Sequence, residues 1–250
     1  MNTKKKILTF GLICVLSAVG INCGSEKVQR PPEGSPAVTA ASQDWKDQFQ
    51  VSAKHLIAEG KNPFFILEPG YQLVLTGDDE GAAFELTITA LKETKTVAGF
   101  STRVVEERET RGGQLVEVSR NYFAIDRNTK DVFYFGEDVD DYKDGKVTGH
   151  AGSWMAGQSG AKFGLVMPGA PKVGYRYYQE QAPGTAMDRA EIISLNETVQ
   201  TPAGTFTNCL KTMEGSALKP DKREYKFYAP GIGLIQESDL LLAKYGNSTP

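Results

Sequence analysis

AFELTIT, at residues 83–89, alternates apolar and polar side chains without a break. Phe84, Leu86 and Ile88 therefore point to one face of an extended chain, and the polar residues between them point to the other. A period of two of this kind predicts a β-strand with one buried face.

Similar strand patterns follow this one along the rest of the chain. Further strands are predicted at 102–108, 115–125, 131–135, 174–180 and 189–199, then to residue 213, and at 222–228, 233–237 and 239–245. Short turns rich in Gly, Asn and Asp separate them, and strands do not alternate with long helices. We therefore predict a mainly β fold: a single antiparallel half-barrel or barrel, built as a meander of about ten strands.

One helix is predicted before the strands, over residues 42–60. Trp45, Phe49, Ala53 and Leu56 recur at near-helical spacing, and Gly60 ends the pattern. We expect this N-terminal helix to cap one side of the sheet.

The N-terminus predicts export. Three lysines, at 4–6, precede an apolar run of 15 residues at 7–21, which is short for a membrane span. The run ends at Cys23 and resembles a relaxed bacterial lipobox, with Gly20 and Asn22 at positions where Leu and Gly or Ala are commonest. Cleavage without lipid and an uncleaved anchor are the alternatives. We predict a signal peptide at 1–22, a lipid on Cys23, a tether at 23–41, one β domain at 42–245 and a tail at 246–250.

Removal of residues 1–22 has two consequences. The net charge changes from −3 to −6 because three lysines and no acids are lost, and no basic run remains to bind nucleic acid. Cys209 becomes the one free thiol, so no intrachain disulfide can form, and we expect this thiol to be buried and inert. No zinc, phosphate-loop or nucleophile-elbow motif occurs, and no cofactor is predicted.

An acidic stretch at 137–144 has two interpretations. Asp144 and Gly145 form a strong type I′ turn signal, which predicts a solvated hairpin. An EF-hand does not fit, since the closing glutamate is missing. A cation site on Asp138 and Asp140, which share one face, is the alternative.

A hydrolase is the enzymatic alternative. Paired carboxylates and a carboxylate–histidine pair both support acid–base chemistry. The candidate residues are Glu137, Asp138, His150, Glu180 and Glu191. Catalysis would require these groups to converge in one cleft. Asp188 lies between Glu180 and Glu191 in sequence.

Three segments carry a family resemblance. VQTPAGTFTNCLK at 199–211, KFYAPGIGLI at 226–235 and PFFILEPGY at 63–71 resemble segments of uncharacterised bacterial cell-envelope proteins. These carry a V-x-x-P-A-G-T-F turn and a Y-A-P-G-V-G-L-V segment, and the resemblance spans residues 62 to about 237. It implies an antiparallel half-barrel similar in style to the periplasmic lipoprotein carriers, and no catalytic residue transfers.

These features favour a binding protein over an enzyme. We expect an exported envelope lipoprotein, anchored to a bacterial membrane by its lipid, at the outer membrane or cell surface rather than the inner membrane. A curved sheet with an apolar concave face would hold a lipid or another small amphiphile. The candidate lining residues, which would equally fill a closed core, are Phe84, Leu86, Ile88, Phe123, Ile125, Phe133, Phe135, Tyr175 and Tyr177.

Overall fold

The computed structural model describes residues 44–248, and most of them belong to one antiparallel sheet. Sixteen strands form the large sheet and two form a small separate one. The eighteen strands are β1 (Leu56–Ile57), β2 (Lys61–Asn62), β3 (Phe65–Ile66), β4 (Tyr71–Asp79), β5 (Ala82–Val97), β6 (Phe100–Arg111), β7 (Gln114–Asp126), β8 (Val132–Lys143), β9 (Lys146–Gly149), β10 (Trp154–Met155), β11 (Lys162–Met167), β12 (Arg176–Tyr178), β13 (Glu180–Gln181), β14 (Asp188–Thr201), β15 (Gly204–Ser216), β16 (Lys219–Ala229), β17 (Gly233–Glu237) and β18 (Leu240–Asn247).

Two meanders make up the sheet. Strands β4 to β8 pair in sequence order, strands β14 to β18 do the same, and β18 pairs with β4 to join the two halves. The predicted mainly β, antiparallel meander is confirmed. The chain holds more strands than the ten expected, because several two-residue strands have no alternation long enough to read from sequence.

One short segment brings the two ends of the sheet together. Residues 176–178 pair with β14, whereas residues 180–181 of the same segment pair with β11 at the other end of the strand order. Only Gln179 lies between the two pairings, and its amide donates to the carbonyl of Asp188 (2.7 Å). The sheet is therefore a nearly closed barrel.

The predicted hairpins are in place. Gly112 and Gly113 (φ 58° and 77°) turn the chain between β6 and β7, and Asp144 and Gly145 (φ 51° and 73°) turn it between β8 and β9. Positive φ at both central residues defines the type I′ turn. Tyr142 pairs with Val147, as an Asp144–Gly145 turn requires; beyond that pair a bulge shifts the register by one residue.

Apolar packing lies on both faces of the barrel wall. Leu75, Leu86 and Leu242 are buried in the interior. Outside the wall, Phe135 stacks on Phe163 (4.9 Å between ring centroids), and Phe49 of the N-terminal segment packs edge-on against Phe133 (5.9 Å).

The helix predicted over residues 42–60 is wrong for the part described, residues 44–60. That part contains no helix. Instead Lys46 lies parallel to Tyr177. Its amide donates to the carbonyl of Arg176 (3.0 Å), and its carbonyl accepts from the amide of Tyr178 (2.9 Å). We call residues 176–181 the closing segment. Its backbone hydrogen bonds with Lys46, together with the packing of apolar side chains along the barrel wall, outweigh a weak helical pattern.

The predicted signal peptide, Cys23 and the tether lie outside the described residues. At the other end β18 continues to Asn247, so the predicted tail at 246–250 begins inside a strand.

Candidate functional site

The barrel interior holds a cavity of about 150 Å³ with two chemically different parts. The lining residues of the apolar part are Phe65, Ile66, Tyr71, Leu73, Ile88, Ala90, Val105, Phe123, Val166, Ile232 and Leu234. The lining residues of the acidic part are Glu107, Glu137, Glu180, Asp188, Glu214, Glu224, Glu237 and Lys226. Ser119, Asn121, Tyr134, Gln179, Gly215, Tyr228 and Gly233 complete the wall.

Strand geometry produces this division. Side chains two residues apart share a face of a strand, so the inward face of β6 runs from Val105 to Glu107. In β17 a bulge shifts the register by one residue, so Leu234 and Glu237 both face inward although they are three residues apart. Tyr228 lies opposite Leu234 and Lys226 opposite Glu237, which places the charged residues of β16 and β17 at one level. The wall formed by β4 and β5 stays apolar throughout.

Register places carboxylates directly opposite one another. Glu109 pairs with Glu117 across β6 and β7, and Glu214 pairs with Glu224 across β15 and β16. Like charges at directly opposed positions destabilise a sheet. All four residues are buried, so the interior concentrates negative charge that the strand pairing alone does not relieve.

Lys226 supplies one local counter-charge. Its Nζ lies 3.0 Å from Glu237 Oε1, 3.6 Å from Glu214 Oε2 and 3.7 Å from Glu224 Oε1. Burial lowers the pKa of Lys226, but the three carboxylates outweigh it and raise that pKa well above its ordinary value. Glu214 also accepts hydrogen bonds from Thr212 (2.8 Å) and Tyr228 (3.1 Å).

The remaining carboxyls of the acidic part have no such partner. Among residues 44–248, no Lys, Arg or His nitrogen lies within 4.0 Å of Glu107, Glu137, Glu180 or Asp188. Burial raises the pKa of Glu137 to about 8, with a hydrogen bond from Tyr134 opposing the shift. Burial and the charge of Glu237 raise the pKa of Glu107 to about 7. Part of this group therefore holds protons at neutral pH.

Glu180 and Asp188 form a close carboxyl pair. Burial, then the charges of Asp188 and Glu137, raise the pKa of Glu180 well above its ordinary value. Burial also raises the pKa of Asp188, against hydrogen bonds from Ser216 and Glu180. With both groups ionised neither can donate, and Glu180 Oε2 and Asp188 Oδ1 then have no hydrogen-bond partner.

Of the five residues named for a hydrolase, the structure brings together two. Glu137 and Glu180 both line the cavity. Asp138 lies on the opposite face of β8, 2.8 Å from Lys95. His150 is two-thirds exposed, and its Nδ1 lies 3.0 Å from Asp140. Glu191 is bound to Arg176 (2.9 Å) outside the cavity.

At the cation site suggested on Asp138 and Asp140, three of the four carboxylate oxygens already contact other side chains. Asp138 Oδ2 accepts hydrogen bonds from Lys95 and Tyr122, and Asp140 contacts Arg120 (3.1 Å) and His150. Within the described part of the chain, no three Asp, Glu, His or Cys side chains are placed to hold one metal ion.

Most residues of the acidic part were not predicted from the sequence patterns described above. The residues not identified beforehand as site residues are Glu107, Glu214, Glu224, Lys226 and Glu237. The sequence does contain a signal for these residues. Glu107 lies on the same strand face as the apolar Val105, and Lys226 lies on the same strand face as Tyr228. A charged residue on the apolar face of a strand marks a polar interior.

Two of the nine predicted lining residues, Ile88 and Phe123, line the cavity. Phe84, Leu86 and Ile125 are buried in the core, and Phe133 and Phe135 pack outside the wall. Cys209 is buried as predicted, and burial raises the pKa of its thiol.

Comparisons of the chain with family models, with curated proteins and with solved structures found no match. Nothing in the part of the chain that the structure describes forms a helix with the length and apolarity of a membrane span.

Proposed function

We propose that this protein is an exported, lipid-anchored envelope protein that binds a small amphiphile inside its barrel. The cavity carries this proposal, since one part of its wall is apolar and the adjoining part bears seven carboxyls and one ammonium. Ligand sites are typically concave and mostly apolar, with a few polar groups that orient the ligand. A molecule with an apolar body and a polar end matches both parts.

The volume limits the size of the ligand. An interior space of about 150 Å³ accommodates an apolar group of roughly the size of benzene. A short-chain or single-ring amphiphile therefore fits better than a lipid with long acyl chains.

Filling the apolar part tests this proposal. Ala90 lines the cavity from β5, whereas Ala83 on the same strand is exposed. Calorimetric titration with hexylamine, hexan-1-ol and hexanoate should detect binding of at least one of them to the wild type and to Ala83→Leu. Ala90→Leu should weaken that binding about tenfold or more while still unfolding cooperatively. Absence of binding by all three compounds would overturn the proposal.

The anchor is proposed from the sequence around Cys23 alone. A diacyl or triacyl cysteine supplies more than one chain, as stable anchoring requires. Labelling cells with a radioactive fatty acid should mark the wild type and leave Cys23→Ser unlabelled. Equal labelling of both would exclude lipidation at this residue.

A carboxylate hydrolase is the second candidate. Glu137 and Glu180 line one cavity, and burial raises the pKa of both, as a general acid requires. Hydrolysis of chromogenic esters or glycosides that is abolished in Glu180→Gln and kept in Glu191→Gln would establish it.

A further inference from the structure

Glu180 is a buried carboxylate with an unfilled hydrogen-bonding position at the cavity. Its exposed fraction is 5%, it lines the cavity, and its Oε2 has no hydrogen-bond partner among the described residues. Asp188 Oδ1 beside it has no partner either. The indole N–H of Trp154 lies beside Glu180 and opposes the rise of its pKa as a hydrogen-bond donor, yet Oε2 itself stays unpartnered. A buried carboxylate oxygen without a donor is costly, so this oxygen requires either a proton or a further donor, which a cationic ligand supplies.

The groups that face this position come from every neighbouring strand of the barrel. Their charges are mostly negative, and Lys226 is already held by three of them. The titratable groups concerned are Glu107 and Glu109 on β6, Glu117 on β7, Tyr134 and Glu137 on β8, Glu180 on β13, Asp188 on β14, Glu214 on β15, Glu224, Lys226 and Tyr228 on β16, and Glu237 on β17.

The apolar part adjoins these carboxyls directly. Val105 precedes Glu107 on the inward face of β6, and Ile88 of β5 pairs with Glu107 across the strands. An inorganic cation would satisfy the carboxylates and leave this apolar wall unused. An anion would meet an excess of like charge. An organic cation with a small apolar body satisfies both surfaces.

We infer that the polar end of the ligand is a primary ammonium group, which donates to Glu180 and is flanked by Asp188 and Glu137. An ammonium has three donors and no acceptor, which suits a site of carboxylate oxygens. Hydrogen bonds between ionised groups are the strong ones, so this end determines selectivity. The inference rests on the proposed function, because it names the ligand class of the same cavity.

The test compares two probes of equal length, hexylammonium and hexan-1-ol, by calorimetric titration at pH 8. The variants are Glu180→Gln and Glu137→Gln, which keep side-chain size, and the control is Glu85→Gln on the exposed face of β5. We expect hexylammonium to bind the wild type and the control at least about tenfold more tightly than hexan-1-ol. In Glu180→Gln the two probes should bind about equally.

The pH dependence gives a second readout. An ammonium must compete with the protons held by the carboxyls, so its affinity should rise between pH 6 and pH 8, whereas that of hexan-1-ol should stay constant.

Four results would overturn the inference. Hexan-1-ol binding as tightly as hexylammonium would do so while leaving the proposed function intact. A selectivity unchanged in Glu180→Gln would show that this carboxyl holds a shared proton only. Ca²⁺ or Mg²⁺ alone raising the melting temperature, with the effect lost in Glu180→Gln, would show a metal site. Binding of neither probe would overturn the inference, and if hexanoate also fails to bind it would overturn the proposed function as well.

Discussion

Lys226 is the residue on which the interior electrostatics depend. Of the described residues that line the cavity, it is the one cation, and it contacts three carboxylates on β15, β16 and β17. Its side chain is 13% exposed, so water replaces little of this interaction. A buried charge whose partner is removed remains uncompensated, which is strongly destabilising.

Lys226→Met should therefore lower the free energy of unfolding by about 3–5 kcal/mol at pH 7. Urea denaturation measures it, with Lys222→Met on the exposed part of the same strand as control. Equal losses in the two variants would contradict this role for Lys226.

At the scale of elements, the closing segment 176–181 depends on one glycine. A Cβ on Gly164 of β11 would lie 2.3 Å from the carbonyl oxygen of Gln179 and 2.6 Å from that of Tyr178. These are backbone atoms of the closing segment and cannot rotate away. Glycine at this position allows the close approach that joins β11 to the other end of the sheet.

Gly164→Ala should force the closing segment away from β11 and lower the free energy of unfolding by about 1–3 kcal/mol. Amide hydrogen exchange should accelerate at residues 176–181 more than within β4 to β7. Lys162→Ala, an exposed position in the same strand, is the control. Unchanged exchange in the closing segment would argue against this role for Gly164.

Elements with their own local signal were predictable from sequence. The conformations of AFELTIT in β5 and of the Asp144–Gly145 turn before β9 are each determined by residues adjacent in sequence. The closing segment does not, because its pairing depends on strands distant in sequence. The same holds for residues 44–60, whose apolar spacing suggests a helix while the backbone pairs with Arg176 and Tyr178.

The candidate site was predictable only in part, for a related reason. Glu137 and Glu180 were chosen because they are acidic, yet acidic residues on strands usually face water. Only the three-dimensional register shows that inward faces of β6, β8 and β14 to β17 converge on one cavity. The sequence signal, a carboxylate on an otherwise apolar face, becomes meaningful once that face is known to be interior.

At the scale of the whole molecule, the barrel holds buried carboxyls whose protonation is linked to folding. Burial raises the pKa of Glu107 and Glu117 to about 7, and that of Glu137 and Glu224 to about 8, against an ordinary value of 4.5. Between these values the folded protein holds more protons than the unfolded chain. With respect to these groups, the free energy of unfolding therefore has its full value below about pH 4.5, and it falls as the pH rises through 7 to 8.

The free energy of unfolding should accordingly fall between pH 5 and pH 8.5, by at most about 1.4 kcal/mol per pH unit for each group. Urea denaturation across this range measures the slope. Glu137→Gln should flatten it and raise stability at pH 8, while the exposed Glu85→Gln should leave it unchanged. A stability that increases up to pH 8.5 would contradict this linkage.

The pairing of β18 with β4 also sets the timing of folding. Tyr71, which begins the first long strand, pairs with Asn247 at the end of the last one. The β4 strand therefore gains its second neighbour only after nearly the whole chain is available. Contacts so distant in sequence fold slowly. The barrel wall is complete only when its final strand has joined the first long one.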